Sequence, residues 1–234
     1  MLPKHGPAVY RRTMRNAPNP PPSPQLTAAI LAGGAATRMG GAVKALLDVG
    51  GLTILDRLAQ TLRPHFAEVL LVAKEPEPFL ALAAAKPPWR LVLDALPGRS
   101  SLTGIHTALH NARTEHVFLT ACDSPFLRTR LLRALIDHLR QEDDVVLPLK
   151  PDGYFEPLCA FYSRRCLPHI EAQLTRDDHK IIRFFDKVRV HPLPEEALLR
   201  ADPNLFSFMN ANTPDELRAL RETAATLPVP QEVP

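Results

Sequence analysis

Short apolar runs alternate with helical patterns along the first 149 residues, and this alternation restricts the fold more than any other feature of the sequence. The runs that predict strands are Leu26–Ala32, Glu68–Ala73, Trp89–Leu93, His116–Ala121 and Asp144–Leu149. Between them, apolar residues recur at helical spacing in Leu52–Leu62, Phe79–Ala85, Leu102–Asn111 and Leu131–Arg140. Strands that are apolar throughout are buried on both faces, which is typical of a parallel sheet between two layers of helices. The sequence therefore predicts an α/β fold with a single doubly wound, mostly parallel sheet and helices on both faces.

The pattern after Pro148 is looser and predicts smaller elements. These are a strand or hairpin edge at Gly153–Tyr162, a helix at Arg164–Leu174, short strands at Val188–His191 and Leu205–Asn210, and a final helix at Pro214–Ala225. The domain itself is expected at residues 25–222. Residues 1–24 are predicted to form a disordered, proline-rich basic arm, and residues 223–234 a flexible tail.

The positive charge of the chain is concentrated in the predicted arm. The arm has no acidic residue, and its cations are Lys4, Arg11, Arg12 and Arg15. Without these four charges the net charge of +3 becomes −1. The folded domain is therefore not expected to bind nucleic acid through a basic surface.

Two further features bear on the cellular compartment. No apolar run approaches the roughly 20 residues of a membrane helix, and the N-terminus lacks the apolar segment of a secretory signal. The cysteines, Cys122, Cys159 and Cys166, form no CxxC pair and are expected to be reduced thiols. A cytoplasmic protein that contacts no membrane is expected.

Glycine is concentrated directly after the first predicted strand. Six of the 10 glycines lie between residues 33 and 51. Gly33 and Gly34 follow the strand at the edge where doubly wound sheets bind ligands, and bare backbone there lets N–H groups approach an anion. Arg38 and Lys44 add two cations, which predicts a polyphosphate site; the alternative is a tight turn. The spacing matches neither GxxxxGK[ST] nor GxGxxG, which disfavours an ATPase loop and a dinucleotide site.

Two more segments carry candidate ligand-binding residues. Asp123 ends the fourth apolar run, and its hard oxygen donors suit Mg²⁺, which takes one or two carboxylates plus substrate phosphates; the alternative is a cap for the following helix. Asn210 and Asn212 flank Ala211, so in an extended chain their amides point the same way and can face one ligand. The alternative is that Asn212 or Thr213 caps the last helix.

These segments together resemble a known family. The pattern LAGG-x3-RMGG-x2-KAL at 31–46, with Asp94, ACDSPF at 121–126, EPL at 156–158 and NANTPDEL at 210–217, resembles the sugar-phosphate and cofactor nucleotidyltransferases. In detail it is similar to the molybdenum cofactor guanylyltransferases, over roughly residues 26 to 220. The resemblance implies a Rossmann-like domain, GTP, Mg²⁺ and a molybdopterin-type acceptor whose phosphate attacks GTP and releases pyrophosphate. It also implies cofactor-biosynthesis proteins or a molybdoenzyme as protein partners.

The resemblance assigns expected roles to individual residues. Lys44 and Arg38 would neutralise the phosphates, and Asp123 would hold Mg²⁺. The nucleotide-binding residues it implies are Leu31, Ala32, Gly33, Gly34, Lys44, Asp94, Asp123, Asn210 and Asn212. For Asp94 the alternative is an Asx turn with Leu96. No general base is expected, because a phosphate monoester is already anionic near pH 7.

Two departures from the family pattern leave the identity of the nucleotide base undecided. Ser100-Ser101-Leu102 stands where Gly-Pro-Leu is usual and is similar to relatives that use CTP, and Val72 stands where an Asn is expected. The LAGG segment favours guanine. A cytidylyl- or sugar-phosphate nucleotidyltransferase therefore stays open, as does a non-catalytic protein that binds or delivers the molybdenum cofactor.

Overall fold

A mixed β-sheet runs through the centre of the protein in the computed structural model, which describes residues 23–33, 43–80, 89–94, 96, 98 and 100–227. Its strands are β1 (Ser23–Leu31), β2 (Phe66–Ala73), β3 (Trp89–Leu93), β4 (His116–Ala121), β5 (Val145–Pro148), β6 (Cys159–Ser163) and β7 (Val190–Leu193). They lie in the order β3-β2-β1-β4-β6-β5-β7. Only β6 is antiparallel to its neighbours among these described strands. The mostly parallel sheet is confirmed, and the carboxyl ends of β1 to β4 share one edge.

Helices connect these strands. They are α1 (Ile54–Leu62), α2 (which begins at residue 77 and is described to residue 80), α3 (Ser101–Asn111), α4 (Thr129–His138), α5 (Leu167–Leu174), α6 (Glu195–Ala201) and α7 (Pro214–Thr226). Short 3-10 helices lie at Lys44–Leu46, Arg164–Cys166, Ile181–Lys187 and Phe206–Phe208. The predicted helix Phe79–Ala85 lies outside the described residues from residue 81 onward.

The sheet has a hydrophobic core on each face. Side chains alternate along a strand, so successive residues of β1 enter different cores. Ala28 and Ile30 pack with buried residues of α1, α4, α6 and α7, whereas Ala29 and Leu31 pack with those of α3 and α5. Helices therefore cover both faces, which confirms the doubly wound fold.

Polar residues fix where three of the helices begin. The Thr53 side chain accepts a hydrogen bond from the Asp56 N–H at the start of α1, and Ser100 accepts from the Thr103 N–H at the start of α3. Thr213 and Glu216 form a reciprocal capping box at α7. The prediction that Thr213 could cap the last helix is confirmed.

The predicted strand Leu205–Asn210 is wrong. The chain forms a 3-10 helix at Phe206–Phe208, entered through Leu205 with a left-handed φ of 53°. The buried Asp202 carboxylate accepts hydrogen bonds from the N–H groups of Phe206 and Ser207, at 3.1 and 2.8 Å. Because the carboxylate gathers consecutive N–H groups on one side, the apolar residues here follow a turn instead of an extended strand.

The ends of the described structure differ from the expected domain limits. β1 begins at Ser23 and α7 ends at Thr226, so regular structure extends beyond residues 25–222 at both ends. Most of the expected arm, residues 1–22, and residues 228–234 of the expected tail lie outside the described residues. No described helix combines the length and the apolar character that a membrane span needs.

Candidate active site

The chain leaves β1, β2, β3 and β4 at the same edge of the sheet. Backbone hydrogen bonds join the residues that follow the strands to the neighbouring strands. The Ala32 N–H donates to Val72 O at 2.7 Å, and the Cys122 N–H donates to Leu31 O at 3.1 Å. A pocket of about 270 Å³ opens at this edge. Its lining includes Gly33, Lys44, Lys74, Asp94 and Asp123. The parallel topology thus brings residues from distant segments into one cavity.

Lys44 is the centre of a polar cluster on one side of the pocket. Its ammonium donates to Asn212 Oδ1 at 2.7 Å and lies 3.5 Å from Asp123 Oδ2. The side chains of Lys44 and Asp123 are only 15% and 19% exposed. Partial burial lowers the local dielectric, so these charges act on a bound anion or cation more strongly than surface charges would.

The backbone around the cluster fixes each of its members. Lys44 opens a 3-10 helix whose next residue, Ala45, is fully buried. The Ala211 N–H donates to the Asp123 carbonyl at 3.1 Å, which ties the segment before α7 to the end of β4. The Asn212 N–H donates to Glu216 Oε2 at 2.6 Å, so the capping box of α7 also holds Asn212 in place.

Asp123 does not cap a helix. The next helix, α4, begins at Thr129 with Arg128 at its N-cap position and no side-chain cap. The alternative interpretation of Asp123 is therefore wrong, and its carboxylate faces the pocket beside Lys44. The described residues contain no group of three or more potential metal-ligating side chains. One carboxylate with access to substrate phosphates still fits Mg²⁺, which keeps most of its ligands as water and phosphate oxygens.

Asp94 lies on the other side of the pocket and is fully engaged by protein donors. Its Oδ1 accepts from the Leu96 N–H at 3.3 Å and from the Thr107 hydroxyl at 3.0 Å. Its Oδ2 lies 2.8 Å from the Thr103 hydroxyl, which is also 2.8 Å from the Ser100 carbonyl, and 3.2 Å from Lys74 Nζ. The Asx turn with Leu96 considered from the sequence is present, together with three partners that the sequence did not indicate.

Two neighbouring groups have shifted protonation equilibria. Burial, with a smaller contribution from the Asp123 carboxylate, raises the pKa of the Cys122 thiol to about 12. Burial also raises the pKa of Glu156, against the opposing effect of Lys150. Cys122, Cys159 and Cys166 are free and buried, as expected for reduced thiols. A protonated, buried Cys122 is not a nucleophile or a metal ligand at neutral pH.

The structure brings together several of the residues singled out in the sequence. Lys44, Asp123 and Asn212 are in direct contact, while Leu31, Gly33 and Asp94 line the same pocket. Ala32 is half-buried next to Gly33, and Asn210 is exposed. Gly34 and Arg38 lie outside the described residues.

Sequence reasoning missed Lys74, Thr103 and Thr107. Lys74 directly follows β2 at the ligand edge, and this position was the available signal. The two threonines lie inside α3, where only the three-dimensional packing shows that they face Asp94.

Comparison with known proteins identifies the family. Residues 28–192 match the model of the MobA-like NTP transferase domain. The chain belongs to this family. A molybdenum cofactor guanylyltransferase of Desulfosudis oleivorans is 40% identical over 194 residues, which cover 82% of this chain and 92% of the relative. A probable molybdenum cofactor guanylyltransferase of Carboxydothermus hydrogenoformans is 39% identical and covers 83% and 94%.

A solved structure of the MobA-like kind has a similar fold. The molybdopterin-guanine dinucleotide biosynthesis protein A of Archaeoglobus fulgidus superposes with a TM-score of 0.74 at 25% identity, covering 86% of this chain and 100% of that chain. The MobA-like match contains Lys44, Lys74, Asp94 and Asp123. Asn212 lies beyond the matched residues, although its side chain contacts Lys44.

Proposed function

We propose that this MobA-like NTP transferase transfers GMP from GTP to the phosphate of a molybdopterin-type molybdenum cofactor and releases pyrophosphate, with Mg²⁺ as cofactor. The observation that carries the proposal is the contact of Lys44 with Asp123 at the carboxyl edge of the sheet. A cation and a carboxylate this close provide one partner for phosphate oxygens and one for a divalent ion. The relatives named as guanylyltransferases support GTP as the nucleotide.

The chemistry requires positioning and charge neutralisation more than proton transfer. The attacking phosphate monoester is already anionic near pH 7, so no protein base has to activate it. Lys44 has three N–H groups, of which one donates to Asn212 and one faces Asp123. The remaining N–H is available for the triphosphate of GTP, in which negative charge builds up on the β-phosphate as the pyrophosphate departs.

Asp123 is the residue that would hold Mg²⁺. When bound, the ion neutralises charge on the triphosphate oxygens and orients the α-phosphate for in-line attack. The Ala211 N–H bond to the Asp123 carbonyl fixes the backbone at this point, so the carboxylate needs little reorganisation before it can bind. Arg38 and Gly34 would complete the phosphate site from the segment that follows Gly33. The reaction would take place in the cytoplasm, where nucleoside triphosphates are abundant.

The test is a steady-state pyrophosphate-release assay with Mg²⁺, a molybdopterin acceptor and each of GTP, CTP, ATP and UTP. The expected result is release that depends on GTP, on Mg²⁺ and on the acceptor. Release with CTP instead would favour a cytidylyltransferase. Absence of release with every nucleotide and with sugar phosphates as acceptors would contradict the proposal and favour a cofactor-binding protein.

A further inference from the structure

Lys74 places a second ammonium group in the pocket, away from the Lys44 cluster. It follows β2, which is separated from β4 and Asp123 by β1, so the two sites lie roughly 10 Å apart, or two strand spacings. The Lys74 side chain is 13% exposed and lines the pocket. A Cβ atom added at Gly33 would lie 3.5 Å from Lys74 Cγ, so Lys74 packs against the loop that follows β1.

The partners of Lys74 leave one of its N–H groups unused in the described structure. Its ammonium donates to the Leu96 carbonyl and lies 3.2 Å from Asp94 Oδ2. An ammonium has three donors and no acceptor. The third N–H is therefore available to a ligand in the pocket.

Asp94 offers a ligand little hydrogen-bonding capacity while its own partners are in place. A carboxylate offers about four lone-pair positions. Four protein groups lie within hydrogen-bond distance of the two Asp94 oxygens, and the Asp94 side chain is 4% exposed. Asp94 therefore acts on a ligand through Lys74, whose charge and position it fixes.

The neighbouring residues Val72 and Ser100 offer no charged donor to a ligand. Val72 and Lys74 both line the pocket, and Val72 is apolar and 2% exposed. Ser100 Oγ already accepts from the Thr103 N–H and lies 3.0 Å from His179 Nδ1. Of the described residues at this end of the pocket, Lys74 is the one with a charged donor to offer.

We infer that Lys74 determines base specificity by donating a hydrogen bond to O6 of guanine. This inference rests on the proposed function, which places the triphosphate at Lys44; the base would then lie at the other end of the pocket. Guanine presents acceptors at O6 and N7, whereas adenine and cytosine present an amino group at the corresponding position. An ammonium donor therefore favours guanine and disfavours adenine and cytosine. A hydrogen bond to a charged group in a partly dry site changes affinity by roughly tenfold or more.

The test compares GTP with 2-aminopurine riboside triphosphate, which lacks O6 and also the hydrogen on N1, so the change in preference between the wild type and a Lys74 variant measures the Lys74 contribution. Calorimetric titrations with Mg²⁺ and no acceptor measure binding to the wild type and to Lys74→Met. The wild type is expected to bind GTP roughly tenfold or more tightly than the analogue. In Lys74→Met the two affinities are expected to fall within about threefold of each other, because GTP loses affinity while the analogue keeps it.

The matched control is Lys187→Met, which makes the same substitution at an exposed lysine outside the pocket and leaves Lys74 and Asp94 intact. It is expected to keep the wild-type preference for GTP. Should Lys74→Met fail to fold, Lys74→Gln replaces it with the same expectation, because its amide is neutral and ends one atom short of the ammonium position, so it can donate to Leu96 while the charged donor to O6 is lost.

Two results would overturn the inference. One is a wild type that binds both triphosphates equally. The other is a Lys74 variant that keeps the full preference; if both affinities fall equally, Lys74 only balances the Asp94 charge. The proposed function fails separately, by absence of GMP transfer in the wild type.

Discussion

The Lys44 ammonium and the Asn212 side-chain carbonyl are joined by a 2.7 Å hydrogen bond, although 168 positions separate the two residues in the chain. Lys44 follows β1, and Asn212 precedes α7, the last described helix. The bond brings a residue near the start of the domain and one near its end together in the Lys44 cluster. The site therefore depends on the folding of the whole domain and not on the glycine-rich segment alone.

Replacement of the lysine tests the phosphate site. Lys44→Ala is expected to lower turnover in the pyrophosphate assay by at least about a hundredfold, because a preorganised charge at the developing negative charge is lost. Lys187→Ala, at an exposed lysine on the surface, serves as the control and should stay within about twofold. A Lys44→Ala enzyme within threefold of the wild type would contradict the assigned role.

Replacement of the carboxylate tests the metal site. Asp123→Ala is expected to lose at least about a hundredfold in turnover and to need more Mg²⁺ for half-maximal activity, because the ion loses its protein ligand. A Mg²⁺ titration of pyrophosphate release measures both effects. Asp186→Ala removes an exposed carboxylate of the surface and should change neither. An unchanged Mg²⁺ requirement in Asp123→Ala would argue against metal binding there.

Substitutions at two adjacent residues, Asn212 and Thr213, are expected to affect turnover and stability differently. Asn212→Ala removes the acceptor that orients Lys44 and is expected to lower turnover roughly tenfold with little change in the melting temperature. Thr213→Ala removes the N-cap of α7 and is expected to cost about 1 kcal/mol of stability with turnover largely kept. Thermal unfolding and the pyrophosphate assay on both variants make the comparison. The idea fails if the two variants behave alike.

Asp144 should make stability depend on pH in the acid range. Burial raises the pKa of Asp144, but the Arg189 N–H and the Arg165 guanidinium more than offset this and hold it below its usual value. A lowered pKa in the folded state stabilises the fold above the unfolded-state value of about 3.9, and this stabilisation is lost as the pH falls through the folded-state pKa. The wild type should therefore exceed Asp144→Asn in melting temperature at pH 7 and pH 5.

The difference in melting temperature between the wild type and Asp144→Asn is expected to shrink as the pH falls below about 4, because the unfolded wild-type chain takes up the Asp144 proton more readily than the folded protein does. Thermal unfolding at pH 7, 5 and 3 measures it. Asp186→Asn, on the surface, is the control and should follow the wild type throughout. A difference at pH 3 as large as that at pH 7 would show that Asp144 acts through packing instead of charge.

The main elements of the fold could be predicted because their signals are local. Each of the apolar runs β1 to β5 and the helical patterns between them is visible within a short window of sequence. The failure at Leu205–Asn210 has the opposite origin, since the Asp202 carboxylate turns the chain there and apolar spacing does not report a side-chain-to-backbone bond. The Asn212 contact with Lys44 was likewise beyond prediction, although each residue was singled out separately.

By itself, the sequence determined the α/β architecture, the glycine-rich segment after β1 and the places of Lys44 and Asp123 after the first and fourth strands, because hydrophobic periodicity and strand-end chemistry are encoded by near neighbours. Only the tertiary structure decided which polar groups meet. It showed that Asp94 lies against Thr103, Thr107 and Lys74, and that Lys74 lines the same pocket as Lys44 and Asp123. The physical reason is that hydrogen bonds act over about 3 Å in space, whereas the residues they join here come from strands and helices far apart in the chain.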